Sequence, residues 1–332
     1  MKELLAPDDT RDALRKFGGL LFGLGMLMVF FRKSDDWSDF VLFLVLAIPA
    51  ALLYYDGVLT GDLTGGLRPW QAVYSVFGLI LVPLALLQFV EMVGGSGSGW
   101  NTFWIFGATA ALAFYAGAVK GIRFHLLAGS IAAIIAWSGL WDEILSDGIG
   151  AHFGIYRGLL GIFSIILLAG ALYLWREGSD ERVTETAVND GGDQKLWKAS
   201  ELITGAGIAA VLACSLGISS VTQFAGPLGI GSFTVVETAP HWDVLLLLVS
   251  LGLVGLGSMI GTRGPAYVGA IGLTLFLFIV GLDLDDDTPE PNKLGLWPIV
   301  LVILGVLGIA LSGLKEASLG DRPRKFIQGL RK

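Results

Sequence analysis

The chain has 332 residues, of which 54% are hydrophobic and only 15% are charged, and its mean hydropathy is +0.71. In soluble domains about a quarter of the residues are charged, so this composition excludes a soluble globular enzyme and a disordered protein. The net charge of −7 excludes nucleic acid as a ligand, because phosphate binding needs clustered Lys and Arg. The single cysteine, Cys214, excludes an intramolecular disulfide and a cysteine-based metal site.

The apolar residues fall in ten blocks that predict transmembrane helices. A bilayer core of ~30 Å needs about 20 residues per helix, and most of the blocks have this length. Trp or Tyr residues stand at many block ends, as in the aromatic belts of membrane proteins. The sequence therefore predicts an all-α, polytopic integral membrane protein. The predicted spans are 17–31, 37–55, 72–92, 100–119, 122–140, 153–175, 200–222, 242–261, 265–282 and 296–314.

The distribution of basic residues predicts the orientation of these spans. If both termini lie in the cytoplasm, all Lys and Arg residues lie there except Arg32, Lys33, Arg157 and Lys293. Cytoplasmic loops of membrane proteins are enriched in these two residue types. We therefore expect a multi-pass protein of the plasma membrane with both termini in the cytoplasm. The first block has no small-residue cleavage site after it and is expected to stay as an anchor.

Repeated motifs predict a duplicated four-helix unit. Trp70-x-Ala72-x5-Gly78 matches Trp197-x-Ala199-x5-Gly205, and Gly117-x3-Gly121-x-Arg123 matches a second segment further along the chain. That second segment is Gly257-x3-Gly261-x-Arg263. A unit with an even number of spans keeps its orientation when it is copied, so the copies are expected to be parallel.

The predicted organisation follows from these motifs and from the polar segments between them. The parts are a cytoplasmic segment 1–16, two additional N-terminal helices 17–55, a first unit 70–175, a flexible cytoplasmic linker 176–196, a second unit 197–314 and a basic cytoplasmic tail 315–332. Glycines four residues apart share one helix face and let helices approach closely. This predicts helix packing at Gly117, Gly121, Gly257 and Gly261, and also at Gly19, Gly23, Gly154 and Gly158.

Polar residues inside spans are candidates for a permeation site, because they are costly to bury in lipid. The candidates are Glu201, Arg157, His125, Glu91 and Gln88, all within a turn or two of a predicted interface. Glu201 is either an interfacial carboxylate at a helix start or a gate or proton relay that acts with His125 or Lys120. Arg157 is expected to pair with an acidic residue just outside the membrane. Pro49 and Pro83 either kink their helices or break them at depth.

Two acidic clusters follow the fifth and ninth spans on the predicted outer face. They attract cations to an outer vestibule, hold Ca²⁺ through carboxylate oxygens, or form a solvated acidic surface. Their spacing does not match a calcium-binding EF-hand. The sequence predicts no cofactor, and no residues are assigned as metal ligands. The clusters consist of Asp142, Glu143, Asp147, Asp283, Asp285, Asp286, Asp287 and Glu290.

Two functional classes remain after enzymes are set aside. The sequence has neither a His-x3-His metal motif nor a Gly-x-Ser-x-Gly nucleophile motif, so no catalytic residue is predicted. Duplication and Gly-rich packing favour transport or permeation of a small solute or ion. The lack of a charge at mid-membrane favours a scaffold, a sensor or a subunit of a larger complex. The expected partners are the lipid bilayer and either another membrane protein or a second copy of the chain.

Overall fold

The fold is known from a computed structural model that describes residues 8–33, 36–60, 69–95, 97–145, 153–184, 191–215 and 241–281. In these ranges the chain forms nine α-helices and no β-strand. The helices are α1 Asp8–Lys33, α2 Asp39–Tyr54, α3 Pro69–Met92, α4 Gly99–Lys120, α5 Arg123–Leu145, α6 Phe153–Thr184, α7 Gly191–Ser215, α8 His241–Ile260 and α9 Arg263–Gly281.

Seven of the described helices are long and apolar enough to cross a membrane, namely α1, α2, α3, α5, α6, α7 and α8. The prediction of an all-α protein with several membrane-spanning helices is therefore confirmed. Nine of the ten predicted spans coincide with a helix, although α7 is described only to Ser215 and α9 to Gly281. The predicted span 296–314 and the tail 315–332 lie outside the described residues.

The chain divides into two compact units, Met1–Leu273 and Thr274–Lys332. The first unit contains α1 to α8 and most of α9. In the second unit the structure describes only 274–281, the end of α9. The packing below concerns the first unit.

Two local expectations differ from the structure. The composition of 176–196 predicts a flexible linker, but α6 continues to Thr184 and α7 begins at Gly191. A salt bridge of 3.3 Å between Lys195 Nζ and Glu177 Oε2 joins these helical extensions, and Glu, Lys and Arg are good helix formers outside the membrane too. Pro49 and Pro83 both lie within continuous helices, so neither breaks its span.

Two helices organise the first unit. Helix α3 packs against α1, α2 and α4, and α7 packs in the same way against α5, α6 and α8. The most extensive contacts join consecutive helices, in the pairs α2–α3, α4–α5 and α6–α7. Among the seven helices long enough to span, α7 has the largest share of buried residues. It is therefore the central helix of the described bundle.

Many helix contacts bring a glycine of one helix against a hydroxyl residue of another. A Cβ added to Gly205 of α7 would lie 2.5 Å from the Cβ of Ser130 on α5, and one added to Gly139 would lie 2.8 Å from the Cβ of Thr102. Close packing at such contacts attracts the helices to each other, because the hydrophobic effect does not drive association between helices that are already in lipid. Three further pairs of this kind are Gly57–Ser75, Gly264–Thr204 and Gly272–Ser250.

The predicted glycine pairs have different roles in the structure. Gly117 packs against Leu126 of α5, and Gly257, the matching glycine of the second motif, packs in the same way against Ala266 of α9. Gly121 and Gly261 do not line grooves, because each follows the end of its helix with a positive φ, 69° and 73°. A left-handed glycine commonly ends a helix, since it has no Cβ to clash.

The other two predicted pairs also differ from each other. Gly19 and Gly23 of α1 pack against the rings of Tyr74 and Phe77 on α3, as predicted. Gly154 and Gly158 of α6 have no atom within 4 Å of the position of an added Cβ in the part of the chain that the structure describes. Their face of α6 is not used for packing within these residues.

We predict that Gly78→Ala destabilises the protein, because the new Cβ would lie 2.7 Å from the backbone nitrogen of Tyr54. Overpacking a close helix contact costs about 1–3 kcal/mol, which should lower the Tm measured in detergent. Gly107→Ala is the matched control, since Gly107 also lies inside a helix and has open space at the Cβ position. If Gly78→Ala lowered the Tm no more than Gly107→Ala does, the close contact between Gly78 and Tyr54 would be contradicted.

Candidate functional site

The first helical turn of α5 carries a histidine that is completely buried. His125 is 0% exposed, and its Nε2 lies 3.3 Å from the backbone carbonyl oxygen of Ser75 on α3. Ser75 is also 0% exposed, and its hydroxyl donates to the Ala72 carbonyl of its own helix. The sequence places His125 within reach of an interface, but the structure encloses it between helices.

The end of α2 forms one wall of this region. After Tyr54 the helix widens into a π-turn, Tyr55–Leu59, in which the Thr60 N–H donates to the Tyr55 carbonyl at 3.1 Å. Gly57 in this turn lies against the backbone of α3, where an added Cβ would be 2.5 Å from the Ser75 nitrogen. Single π-turns inside helical segments occur frequently at functional sites.

Helix α4 closes the region from another side. The Tyr54 hydroxyl donates to the Leu112 carbonyl of α4 at 2.7 Å. Tyr54 also packs in an apolar cluster with Val58, Ala116 and Ile122. We call the group formed by Tyr54, Gly57, Ser75, Ile122 and His125 the junction cluster, because it joins α2, α3, α4 and α5.

The geometry determines the form of the neutral His125 ring. A carbonyl oxygen only accepts hydrogen bonds, so Nε2 must carry the proton that is donated to Ser75. Nδ1 then holds the lone pair, and within the described residues it is buried without a hydrogen-bond partner. The junction cluster therefore contains one basic nitrogen, closed off from solvent, inside a membrane-spanning helix.

Glu201 lies on α7 at the same end of the bundle as the junction cluster. It is half-buried and takes part in an interaction of its own. One turn earlier, Lys198 Nζ donates to the Ala118 carbonyl near the end of α4 at 2.8 Å. This bond holds the start of α7 beside the segment that leads from Lys120 to His125. A direct pairing of Glu201 with His125 or Lys120 stays a prediction.

Arg157 lies at the opposite end of the bundle and is also buried. Its side chain is 6% exposed, and its guanidinium carbon lies 4.7 Å from the ring centroid of Trp242 on α8. Asp243 of α8 and Cys214 of α7 are within electrostatic range of the guanidinium. A guanidinium stacked on an indole ring is attracted to it. Arg157 therefore links α6 to α8 beside the end of α7.

The acidic residues next to Arg157 have other contacts in the structure. Asp142 Oδ1 accepts a hydrogen bond of 3.2 Å from the hydroxyl of Tyr156, and Glu143 Oε2 accepts one of 3.2 Å from the Trp100 N–H. These two carboxylates tie α5 to the starts of α6 and α4. Asp147 and the second predicted cluster, Asp283, Asp285, Asp286, Asp287 and Glu290, lie outside the described residues.

Gln88 and Glu91 form a pair at the end of α3. Gln88 Nε2 donates to Glu91 Oε2 at 2.7 Å. Gln88 is 5% exposed, whereas Glu91 is exposed. Thirteen residues separate Gln88 from Ser75 on the same helix, about 20 Å at the rise of an α-helix. The structure therefore does not bring these two candidates together with His125.

Sequence reasoning missed the buried hydroxyl residues around α7. Ser130 of α5, Thr204 of α7 and Ser250 of α8 are at most 3% exposed. Ser130 and Thr204 donate to carbonyls of their own helices, and in the described part of the chain the Ser250 hydroxyl has no hydrogen-bond partner. Small hydroxyl residues are common in transmembrane helices, so their type alone did not distinguish them. The nearby glycines Gly205, Gly264 and Gly272 were the available signal.

Comparisons with protein-family models, with curated proteins and with solved structures find no match for this chain.

We predict that Arg157→Lys destabilises the protein, although the charge is retained. Lysine lacks the planar group that stacks on Trp242, and such a cation–π contact is worth about 0.5–2 kcal/mol. The measurement is the Tm in detergent. Arg32→Lys, at an exposed position at the end of α1, is the control and should leave the Tm unchanged.

Proposed function

We propose that this protein is a plasma-membrane transport protein that moves a small solute or ion along its central helix, α7. The observation that carries the proposal is a file of polar side chains that accompanies α7 from one end to the other. Lipid-exposed helices need no such residues, and polar groups inside transmembrane bundles commonly mark substrate or ion pathways.

The file begins with Lys198 and Glu201 near the start of α7, followed by Thr204. Ser130 of α5 lies against Gly205, and Thr204 itself lies against Gly264 of α9. Ser250 of α8 comes next, beside Gly272, which also contacts Val211 of α7. The file ends with Cys214 and the stacked Arg157 and Trp242. Polar side chains from three neighbouring helices, α5, α6 and α8, thus converge on α7.

The depths of these residues in the membrane support a continuous pathway along α7 rather than two separate polar groups at its ends. Thr204 lies nine residues after Lys195, about 13 Å along α7, and Ser250 lies nine residues after His241, about 13 Å along α8. Thr204, seven residues before Val211, is therefore about 10 Å nearer the start of α7, and Ser250 is near the middle of a hydrocarbon core of ~30 Å. Ser250 is completely buried there, and its hydroxyl has no hydrogen-bond partner among the described residues. A passing solute or ion would supply one.

A parallel duplication of a four-helix unit, within ten spans, is part of the proposal. It is supported by the helix contacts, since α3 packs against α1, α2 and α4 as α7 does against α5, α6 and α8. The α4–α5 and α8–α9 turns also agree in detail. The contact Gly117–Leu126 corresponds to Gly257–Ala266, and both turns contain a positive-φ glycine. Transporters with parallel repeats bind their substrates between the repeats.

A second candidate function is that of a scaffold or subunit in a larger membrane complex. The observation that favours it is the uncovered glycine face of α6, where Gly154, Gly158 and Gly161 have no neighbour within 4 Å in the described residues. Small-residue faces of this kind let a helix of another protein, or of a second copy, approach closely.

The proposed orientation predicts opposite labelling of two sites in intact cells. Cys214 is the only cysteine, so Cys214→Ala provides a cysteine-free background. Val93→Cys, at the end of α3, should react with a membrane-impermeant maleimide, because it lies on the predicted outer face and is 61% exposed. Thr60→Cys, at the end of α2, should react only after the membrane is permeabilised. The reverse pattern would contradict the proposed orientation.

The transport proposal predicts flux in proteoliposomes that contain the purified protein. The probes are radioactive Na⁺, Rb⁺, Ca²⁺ and Cl⁻, and a proton gradient read by an internal pH dye. Glu201→Gln and Arg157→Ala should each lower the flux about tenfold without lowering the amount of inserted protein, because they remove charges at the two ends of the polar file.

The controls are exposed charges of the same type, Asp39→Asn and Arg32→Ala, which should leave the flux unchanged. Normal flux in both Glu201→Gln and Arg157→Ala would remove these residues from the pathway. The absence of flux for every probe, together with a stable oligomer in detergent, would favour the scaffold function instead.

A further inference from the structure

We propose that His125, which lies beside the start of the polar file and not within it, binds the coupling proton, and that proton binding at its Nδ1 opens the junction cluster. The proposal rests on the transport function proposed above and names the coupling ion. It starts from the one basic nitrogen that the structure encloses in the junction cluster.

Histidine is the side chain that gains and loses a proton most readily between pH 5 and 8. The protein has three histidines. His241 is exposed at the start of α8, and His152 lies outside the described residues. His125 is the completely buried one, and its Nε2–H is already donated to the Ser75 carbonyl. Any proton that His125 gains must therefore be bound at Nδ1.

The closed junction cluster offers no acceptor for a second N–H. Nδ1 has no hydrogen-bond partner in the described part of the chain, and the Tyr54 hydroxyl is already donated to Leu112. Val58 and Ile122, which pack with Tyr54 in this region, are apolar. A buried cation with an unsatisfied donor is strongly unfavourable. A proton thus binds much better to a state in which water or a polar side chain reaches Nδ1.

Differential binding of this kind shifts the protein between two states. When the pH falls, protons bind the open state and draw the population toward it. The region has two points at which backbone geometry already departs from an α-helix, the π-turn Tyr55–Leu59 and Gly121 with its φ of 69°. Both lie beside the cluster, so they are suitable hinges for a movement of the α4–α5 turn.

The titratable groups at this end of the surrounding helices include possible partners for the opened histidine. Lys198 is held by the Ala118 carbonyl, and Glu177 is paired with Lys195. Glu201 is the carboxylate closest along α7 to the start of the polar file, which makes it the natural acceptor in the open state. The groups on α2 and its π-turn, α3, α4, α6 and α7 include Tyr54, Asp56, Tyr74, Lys120, Arg176, Glu177, Lys195, Lys198 and Glu201.

The corresponding turn between α8 and α9 has no titratable group at this position. When Gly121 is aligned with Gly261, the position that corresponds to His125 is Pro265 in α9, which is also completely buried. The turns before both residues contain a positive-φ glycine. Only the α4–α5 pair therefore places a titratable group at this point of the packing.

The test measures how accessible the junction cluster is at different pH values. In the Cys214→Ala background, Ser75→Cys places a thiol next to His125, and the exposed Thr60→Cys reports the chemical reactivity of a thiol at the same pH. Both are labelled with an impermeant maleimide in detergent. We expect the ratio of the Ser75→Cys rate to the Thr60→Cys rate to rise at least fivefold from pH 8 to pH 5.5.

His125→Gln keeps an N–H donor for the Ser75 carbonyl but cannot bind the proton, so in this variant the ratio should not change with pH. A constant ratio with His125 present, or a rise that persists in His125→Gln, overturns the proposal. If Ser75→Cys lowers the Tm, hydrogen exchange of residues 121–130 in the unmodified chain replaces it. The protection factors, which correct the exchange rates for the intrinsic pH dependence of amide exchange, should then be lower at pH 5.5 than at pH 8.

Proton flux separates this inference from the transport function. Acid-induced opening without flux of any probe would leave His125 as a proton site and overturn transport. Flux of another probe that is independent of a proton gradient, with no acid-induced opening, would leave transport in place and overturn the role of His125.

Discussion

Close approach of helices at glycine is the constraint on which this structure depends. Once helices are in lipid, burying apolar side chains between them gains little, so attraction must come from close packing and interhelical hydrogen bonds. Gly57, Gly78, Gly139, Gly205 and Gly257 each bring a neighbouring helix so near that even a methyl group would not fit. This requirement accounts for part of the glycine content of the chain, since other glycines, such as Gly107, have open space at the Cβ position.

Close packing also explains where the polar side chains lie. Wherever two helices meet at a glycine, the space opposite suits a small side chain, and Ser or Thr can satisfy its hydroxyl on the carbonyls of its own helix. Ser130 and Thr204 do so. The buried polar residues without such a solution include His125 and Ser250, whose Nδ1 and Oγ atoms have no hydrogen-bond partner in the described ranges. The proposed function draws on these two residues.

Hydrogen bonds from side chains to carbonyls of other helices fix the arrangement further. Tyr54 bonds to α4, His125 to α3, Trp137 to α6, Ser164 to α7 and Lys198 to α4. Each bond uses a carbonyl that already belongs to a helix, so it adds a link between helices without breaking one. The most enclosed helix, α7, takes part in two of these bonds.

The class of the protein and the positions of nine helices were readable from the sequence, because long apolar blocks leave the chain no other way to satisfy its backbone in a bilayer. The use of Gly19 and Gly23 for helix packing also followed from a local pattern, although the partner helix did not. The segment 176–196 was harder, since its polar composition suited both a loop and an extended helix. The tertiary structure alone decided which polar residues are buried. The sequence placed His125, Arg157 and Gln88 within reach of an interface, but depth along a helix does not reveal which side faces a neighbour. Which side of a helix is buried depends on contacts between residues far apart in the chain, such as those of α2 with α3 and of α6 with α8.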